Sequence, residues 1–310
     1  GLGTQVLSRG YRWEMTQVLR QGVLLCCLLL AAGAVHAQGG GGREAAPDSL
    51  RRGRFLGVVG GGGLVIGGTL VGLDQAWYQQ YGRTPFKFFN DGREWQGMDK
   101  VGHLFATYTV GEWGHSLLRW TGVRERTALW VGGAVGLAYL TGVEYLDGRS
   151  EGWGFSLWDM AANTLGSGLY TGQQLAWKEQ RIRVKYSAHL TPYAAQRPSL
   201  LGEGLGERIL KDYNGCTIWL TVCPRAFGAQ HLPDWLTMAV GYGAEGMVQA
   251  DPAAGQYKQF YLSPDVDLTR LPVRSPALRT LLKVLNCVKL PLPTLEYDGR
   301  GRWRAHAAYF

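Results

Sequence analysis

Charged residues are scarce in this chain. Only 18% of its 310 residues are Asp, Glu, Lys or Arg, whereas 46% are hydrophobic. The formal net charge of +8 comes from Lys and Arg residues that are spread along the chain rather than gathered in one patch. Because a nucleic-acid-binding module needs a basic patch or stripe, the sequence predicts no nucleic-acid partner. The basic balance is instead typical of a surface that faces a cell envelope.

Cysteines are also few. Cys26 and Cys27 lie in an apolar run near the N-terminus, which leaves Cys216, Cys223 and Cys287 in the rest of the chain. Three cysteines cannot pair completely within one chain, and their spacing is not that of metal ligands. A local Cys216–Cys223 disulfide and three unpaired packing residues both stay open. No H-E-x-x-H or C-x-x-C motif is present, and the sequence names no cofactor.

The N-terminus has the pattern of a secretory signal peptide. Three arginines precede an apolar run at 22–34, and Val35 and Ala37 supply small residues at the −3 and −1 positions. This pattern predicts a signal peptide over 1–37, cut before Gln38, followed by a flexible Gly-rich linker over 38–54. Gln38 stands where a lipoprotein needs cysteine, so lipidation is not expected. We predict secretion to the periplasm or to the inner face of the outer membrane.

Residues 55–180 have the composition of a helical domain rich in Gly and Trp. The stretch 55–73 is uncharged and contains two G-x-x-x-G motifs, which makes it the one segment long and clean enough to be a transmembrane candidate. Its glycine run completes neither a G-x-G-x-x-G nor a P-loop motif. Further helices are predicted at about 100–120, 127–146 and 156–178, giving the domain about four helices.

The signals for membrane topology disagree with one another. If all four helices crossed a bilayer, most of the flanking arginines would lie on one side, which the positive-inside rule assigns to the cytoplasm. A cleaved signal peptide places that same side outside. A compact, membrane-associated helical domain resolves the conflict, provided that at most its first helix inserts deeply.

Residues 181–310 follow a different pattern. Proline recurs, and short alternating runs predict antiparallel strands at 183–190, 217–223, 236–242, 259–268 and 303–310. An amphipathic helix is predicted at 275–290. The chain ends on an aromatic residue, as outer-membrane barrel strands often do, but about five strands are too few for a single-chain barrel. The predicted fold class is α+β, with an N-terminal helical domain and a C-terminal antiparallel β-rich region.

Three polar clusters interrupt the apolar helical half. They are Asp99-Lys100-x-x-His103, Glu144-x-x-Asp147-x-Arg149 and Asp159-x-x-x-Asn163-x-x-Gly166. Ionisable groups in apolar surroundings lose stability unless they are paired, hydrogen-bonded or bound to a metal. Since each cluster lies near a predicted helix end, the three are predicted to meet in one polar site.

Two interpretations of these clusters stay open. In the first, carboxylate and imidazole groups act as metal ligands or as an acid–base pair, and the metal candidates are Asp99, His103, Glu144 and Asp159. In the second, Lys100 and Arg149 neutralise the carboxylates in a buried salt-bridge network, with His103 as a hydrogen-bonded core residue. Ser156 is a candidate N-cap that places Asp159 at the third helical position.

The ordered motifs resemble a known family. The Asp99 and Glu144 clusters, followed by Gly152-Trp153-Gly154-Phe155-Ser156-x-x-Asp159, are similar to the YfiM-like domain of unknown function. The members of that family are predicted periplasmic lipoproteins and longer envelope proteins, and the likeness extends to residues 88–91, 211–215 and 261–265. The same order of motifs is more distantly similar to VanZ-like membrane proteins. The resemblance implies an envelope location and a fold, and it carries over no catalytic residue.

Two functions follow from these observations. The first is a membrane-associated envelope module that is structural or grips a lipid or glycan headgroup, with the aromatic segment 77–95 facing the membrane. The second is a hydrolase-like enzyme that acts on lipid or cell-wall precursors through His103 with Asp99, Glu144 or Asp159. The expected partner is a membrane or an envelope lipid or glycan, and the oligomeric state is left open.

Overall fold

The computed structural model describes residues 49–76 and 82–310. These residues form seven helices and a six-stranded antiparallel sheet, which confirms the predicted α+β class. The predicted signal peptide, 1–37, and most of the predicted linker, 38–54, lie outside the described residues. The helices are α1 (Arg52–Ala76), α2 (Met98–Trp120), α3 (Glu125–Gly148), α4 (Leu157–Trp177), α5 (Pro198–Leu201), α6 (Leu205–Lys211) and α7 (Pro276–Leu285). The strands are β1 (Phe88–Phe89), β2 (Phe155–Ser156), β3 (Ile182–Ala188), β4 (Cys216–Val222), β5 (Leu236–Glu245), β6 (Tyr257–Val266), β7 (Leu292–Asp298) and β8 (Trp303–Tyr309).

The described chain divides into two compact units. The described residues of the first unit are 49–76, 82–92 and 106–175, and the unit holds α1, α3 and most of α2 and α4. The second unit consists of residues 93–105 and 176–310, and it holds the six-stranded sheet. The first turns of α2 therefore group with the sheet-bearing unit, while the rest of that helix groups with the helical unit.

Glycines set the distance between α2 and α3 in the first unit. A Cβ atom built on Gly132 would lie 2.3 Å from the backbone nitrogen of His115, and one built on Gly136 would lie 3.0 Å from the Cα atom of Thr107. Side chains at these two glycines would force the helices apart, so α2 and α3 pack with their backbones in close contact. The small residues of α3 thus serve a close helix crossing.

Helix α1 is apolar and poorly covered. Its segment Arg52–Gln75 is long and apolar enough to cross a membrane, and only 6% of that window is buried. Leu56 and Leu64 are 68% and 78% exposed. Helix α3, Glu125–Gly148, also meets the length and composition requirement, although 44% of its window is buried. The prediction that residues 55–73 are the one such segment was therefore wrong, because the acidic residues of α3 stand near its ends.

The sheet of the second unit is an antiparallel meander whose strands follow chain order from β3 to β8. Tyr186 of β3 also forms a parallel bridge with Val288, just before β7, so the sheet curls until its first strand contacts the approach to its fifth. Five of these strands were predicted to within a few residues. Strand β7 was missed because Pro293 argues against a strand. The helix predicted at 275–290 ends earlier, at Leu285.

The two faces of this sheet have an inverted polarity. On β6 the buried side chains are Gln259, Tyr261, Ser263 and Asp265, whereas Phe260 and Leu262 are exposed. The same buried face carries further polar side chains on neighbouring strands, namely Thr217, Thr221, Thr237, Thr294, Glu296 and Asp298. An antiparallel sheet with one face in water has the opposite arrangement, with apolar residues buried and polar residues exposed.

Candidate functional site

A buried polar cluster in the first unit links two of the predicted motifs through Ser156. The parallel pairing of β1 with β2 sets Phe89 opposite Ser156, which brings the residues after β1 to the start of α4. The Ser156 hydroxyl donates to Asp91 Oδ1 over 2.6 Å, and the Ser156 backbone N–H donates to Glu144 Oε2 over 3.0 Å. Asp91 and Glu144 are both buried. The contact with Asp91 was not predicted, since no local spacing connects residues 91 and 156.

Ser156 is also the N-cap of α4. Its hydroxyl oxygen accepts a hydrogen bond from the backbone N–H of Asp159 at 3.1 Å, which confirms the predicted cap. Asp159 therefore lies in the first turn of α4, where the positive end of the helix dipole favours a carboxylate. Asp147, Asp159 and Asn163 are buried as well, so the cluster forms part of the interior of the unit.

We expect the substitution Ser156→Ala to lower the free energy of unfolding by about 1–3 kcal/mol. It removes the helix cap and leaves the buried Asp91 carboxylate without the hydroxyl donor. Chemical denaturation followed by tryptophan fluorescence measures the change. Thr164→Ala is the matched control, because the Thr164 hydroxyl is exposed and bonds its own helix at Met160. Equal losses in the two variants would contradict the bracing role of Ser156.

Asp99, Lys100 and His103 form a second cluster, at the start of α2 in the other unit. Lys100 Nζ lies 3.0 Å from Asp99 Oδ2, and His103 Nε2 lies 3.9 Å from Asp99 Oδ1. A spacing of four residues stacks Asp99 and His103 on one helix face, as predicted. The Tyr213 hydroxyl donates to Asp99 Oδ1 over 2.7 Å. The Asp99 carboxylate is thus buried between a cation and a phenol.

Tyr213 was not among the predicted site residues. It lies in the stretch 211–215, whose only sequence signal is its family resemblance. Its ring lies 4.9 Å from that of Trp95, and the next residue is anchored because the Asn214 amide donates to Asp212 Oδ1 and to the Met247 carbonyl. A tyrosine in a turn gives no sequence signal for a carboxylate more than a hundred residues away.

The backbone that leads into α2 is held in an unusual conformation. Trp95, Gln96 and Gly97 have φ angles of 51°, 53° and 82°, in the left-handed region that is unfavourable for residues with a Cβ atom. Tyr242 donates to the Gln96 carbonyl, and the Trp95 N–H donates to the Ala250 carbonyl over 2.9 Å. These contacts within the second unit fix the direction in which α2 begins, and hence the position of Asp99.

Arg149 lies at the surface rather than beside the buried Glu144. It lines a shallow pocket with Asp74, Arg83 and Tyr145. Residues 148–152 also fit the spacing G-x-S-x-G, although Ser150 is buried and follows the end of α3. A nucleophile elbow needs an exposed serine on a strand-to-helix turn, so Ser150 is not a candidate nucleophile.

Residues 87–171 match a family described as predicted periplasmic lipoprotein (DUF2279). The matched segment runs from just before β1 into α4 and contains all three polar clusters. The match supports an envelope or periplasmic location for this chain. No curated protein and no solved structure matches it. The likenesses to the YfiM-like and VanZ-like groups stay predictions, as does the meeting of the three clusters in one site.

The matched segment also holds a Tyr–His–Glu chain that was not predicted, in which Tyr170 and His115 are buried and the Glu125 side chain is 45% exposed. His115 Nδ1 lies 2.6 Å from the Tyr170 hydroxyl, and His115 Nε2 lies 3.2 Å from Glu125 Oε1. Arg119 Nε lies 2.9 Å from the other oxygen of Glu125. The Tyr, His and Glu residues come from three helices, so no local sequence motif predicts their contact. Such a chain can hold a proton between a phenol and a carboxylate.

A further missed cluster lies on the buried face of the sheet, outside the matched segment. Lys185 Nζ lies 2.7 Å from Asp265 Oδ2, with side chains that are 1% and 0% exposed. Lys289 Nζ lies 4.6 Å from the centre of the Trp219 ring and donates to the carbonyl of Leu290. Burial lowers the pKa of Lys289 to about 8, and this value includes the raising effect of the Asp265 carboxylate and the smaller lowering effect of Lys185. Two buried amines thus face one carboxylate.

The three cysteines of the second unit are free thiols, which decides between the two alternatives left by the sequence. Cys216 Sγ lies 3.2 Å from the Asp212 carbonyl, and Cys287 Sγ lies 3.2 Å from the Val284 carbonyl. Both act as packing residues with weak S–H donors.

Proposed function

We propose that this chain is a membrane-associated structural module of the cell envelope, with α1 inserted in a lipid bilayer. The exposure of α1 carries the proposal. The helix has 25 residues and is therefore about 37 Å long, while the hydrocarbon core of a bilayer is about 30 Å thick. Because its backbone groups are bonded within the helix, α1 can enter lipid without unpaired N–H or C=O groups.

The side chains of α1 support the same environment. Leu56, Leu64 and Val71 are each more than half exposed, and moving such a side chain out of water is favourable by about 1.5–3 kcal/mol when burial is complete. Charged residues stand only near the ends, with Arg54 over the Trp120 ring at one end and Asp74 paired with Arg83 at the other. Arginine and tryptophan at a helix end suit the membrane–water interface.

The polar clusters are proposed as internal braces rather than as an active site. Both oxygens of Asp99 already have partners, Tyr213 and Lys100, so a metal or substrate would have to displace one of them. Ser156 likewise donates one hydrogen bond to Asp91 and one to Glu144, which ties both carboxylates to the start of α4. The alternative, a hydrolase that uses His103 with a carboxylate, has less support for this reason.

Flotation of the full chain with uncharged phosphatidylcholine vesicles tests the proposed function. We expect the protein to float with the vesicles and the double variant Leu64→Lys, Val71→Lys to stay in the dense fraction. A lysine at position 64, at the middle of the helix, costs about 2.5–3.5 kcal/mol, and the lysine at position 71 adds to that cost. Leu205→Lys is the matched control, because Leu205 is 63% exposed on α6 and should not affect flotation. Failure of the unmodified protein to float, or equal flotation of the double variant, would overturn the proposal.

A further inference from the structure

We infer that the exposed face of the β4–β8 sheet is a second lipid-binding surface, which dips into one leaflet of an anionic membrane. This inference rests on the proposed membrane association for its envelope setting. The observations that support it are independent and come from the second unit. The strand register shows how the surface is built.

An aliphatic band crosses five strands on the exposed face. The register aligns Leu220 with Val240, Val240 with Leu262, Leu262 with Leu295, and Leu295 with Ala305. Leu220, Val240, Leu262 and Leu295 are between 40% and 56% exposed. Met238 continues the band one row further, beside Pro264. No charged side chain lies in these rows, which is unusual for a surface in water and normal for one in lipid.

An aromatic row borders the band on one side. The register aligns Tyr242 with Phe260, Phe260 with Tyr297, and Tyr297 with Trp303. The rings of Tyr242 and Phe260 lie 5.6 Å apart, and those of Tyr297 and Trp303 lie 4.9 Å apart. Tyrosine and tryptophan prefer the level of the lipid headgroups, where the ring is buried and its polar atom stays hydrated. This applies to Tyr297 and Trp303, whereas the Tyr242 hydroxyl donates to the Gln96 carbonyl and contributes only its ring.

Basic residues stand beyond the aromatic row. Lys258 lies two residues before Phe260 on the same face of β6, opposite Ala244. Arg300 lies in the turn between β7 and β8, with its guanidinium over the Tyr257 ring. Both are exposed. The order is therefore aliphatic, aromatic and basic, which matches acyl chains, the interfacial region and anionic phosphates. This charge complementarity selects a membrane with anionic lipids as the occupant.

The dimensions fit one leaflet. Four residues separate the Met238 row from the Tyr242 row, which corresponds to about 13 Å along a strand. Half of a hydrocarbon core is about 15 Å. The opposite face of the sheet is polar and buried within its own unit, so the polar side chains of that face stay out of hydrocarbon when the apolar face meets lipid. The surface therefore suits shallow insertion into one leaflet. Such insertion does not require the six strands to close into a pore.

Depth-dependent fluorescence quenching tests the inference on the full chain. A background with Cys26→Ser, Cys27→Ser and Cys287→Ser leaves only the buried thiols of Cys216 and Cys223. An environment-sensitive dye is then attached to Leu262→Cys, Lys258→Cys, Leu205→Cys or Leu64→Cys. The vesicles contain phosphatidylglycerol and lipids with a quencher either at mid-chain or at the headgroup. We expect mid-chain quenching at position 262, headgroup quenching alone at position 258, and neither at position 205.

The outcomes separate this inference from the proposed function. Quenching at position 64 with none at position 262 overturns the sheet surface and leaves the insertion of α1 standing, whereas the reverse result overturns the insertion of α1. A dye at position 262 that is already shielded without vesicles would mean that a second copy covers the face, which also overturns the inference. The double variant Lys258→Gln, Arg300→Gln should lower the affinity of the second surface for anionic vesicles by about 30-fold and leave binding to uncharged phosphatidylcholine vesicles unchanged. Equal effects on both vesicle types would contradict the assigned anionic partner.

Discussion

Replacing Asp265 by asparagine is expected to lower the free energy of unfolding by about 3–5 kcal/mol. The substitution keeps the shape of the side chain and removes the one carboxylate that Lys185 contacts, at 2.7 Å in a fully buried position. It also removes the negative charge that favours protonated Lys289. Two buried ammonium groups would then face each other without compensation, and the folded state would have to lose a proton or admit water. Guanidinium denaturation of the full chain in detergent measures the loss.

Two further variants separate a buried charge from a general effect of losing an ion pair. Asp234→Asn is the matched control, since Asp234 pairs with Arg225 over 2.8 Å at the surface, with side chains that are 57% and 39% exposed. That change should cost less than about 1 kcal/mol. The triple variant Lys185→Met, Asp265→Leu, Lys289→Met should recover most of the stability, because it removes both buried amines together with the carboxylate that they face. A loss in the triple variant as large as that in Asp265→Asn would refute this explanation.

The stability of the protein is expected to rise between pH 8 and pH 10, by about 2 kcal/mol, because of Lys289. Burial lowers the pKa of Lys289 to about 8, whereas an unfolded lysine titrates near 10.4. Between these values the unfolded chain binds more protons than the folded one, so the free energy of unfolding increases with pH. Below pH 8 the folded state carries the full cost of a buried charge.

The tyrosines of the sheet limit this window at its upper end. Burial raises the pKa of Tyr309 to about 12, so above pH 10 the folded state holds a phenol proton that the unfolded chain releases, and stability falls again. The variant Lys289→Met should lack the rise between pH 8 and pH 10 and be more stable than the unmodified protein at pH 7. Thermal or denaturant unfolding across this pH range measures both effects. The same rise in Lys289→Met would assign the titration to another group.

The regular elements were largely accessible from the sequence because their patterns are local. The helices predicted at 100–120, 127–146 and 156–178 correspond to α2, α3 and α4, and five strands were found from their alternation. The alternation of apolar and polar residues did not show which face of the sheet is buried. On β6 the apolar residues Phe260 and Leu262 were the natural candidates for the core, yet the register and burial place Gln259 and Asp265 inside.

The site was predicted only where one helix sets the geometry. Asp99 with His103, and Ser156 with Asp159, are three or four residues apart, and a helix brings such pairs together. Long-range packing brings the unpredicted residues into their contacts, namely Asp91, Tyr213 and the His115–Tyr170 pair. Their partners lie on other elements, so neither periodicity nor spacing carries a signal for them. Lys289 was missed for the same reason, since its surroundings come from three separate parts of the chain.

The bridge between Tyr186 and Val288 constrains the order in which the chain can fold. The first strand of the sheet gains this contact only after the segment that precedes β7 has been synthesised. Contacts between residues so distant in sequence form slowly, because the entropy of closing a long loop is lost before the contacts can stabilise the chain. The helices of the first unit need no such wait. Until the bridge forms, Tyr186 lies on an open strand edge. Such an edge can pair with strands of other chains, and chaperones protect it.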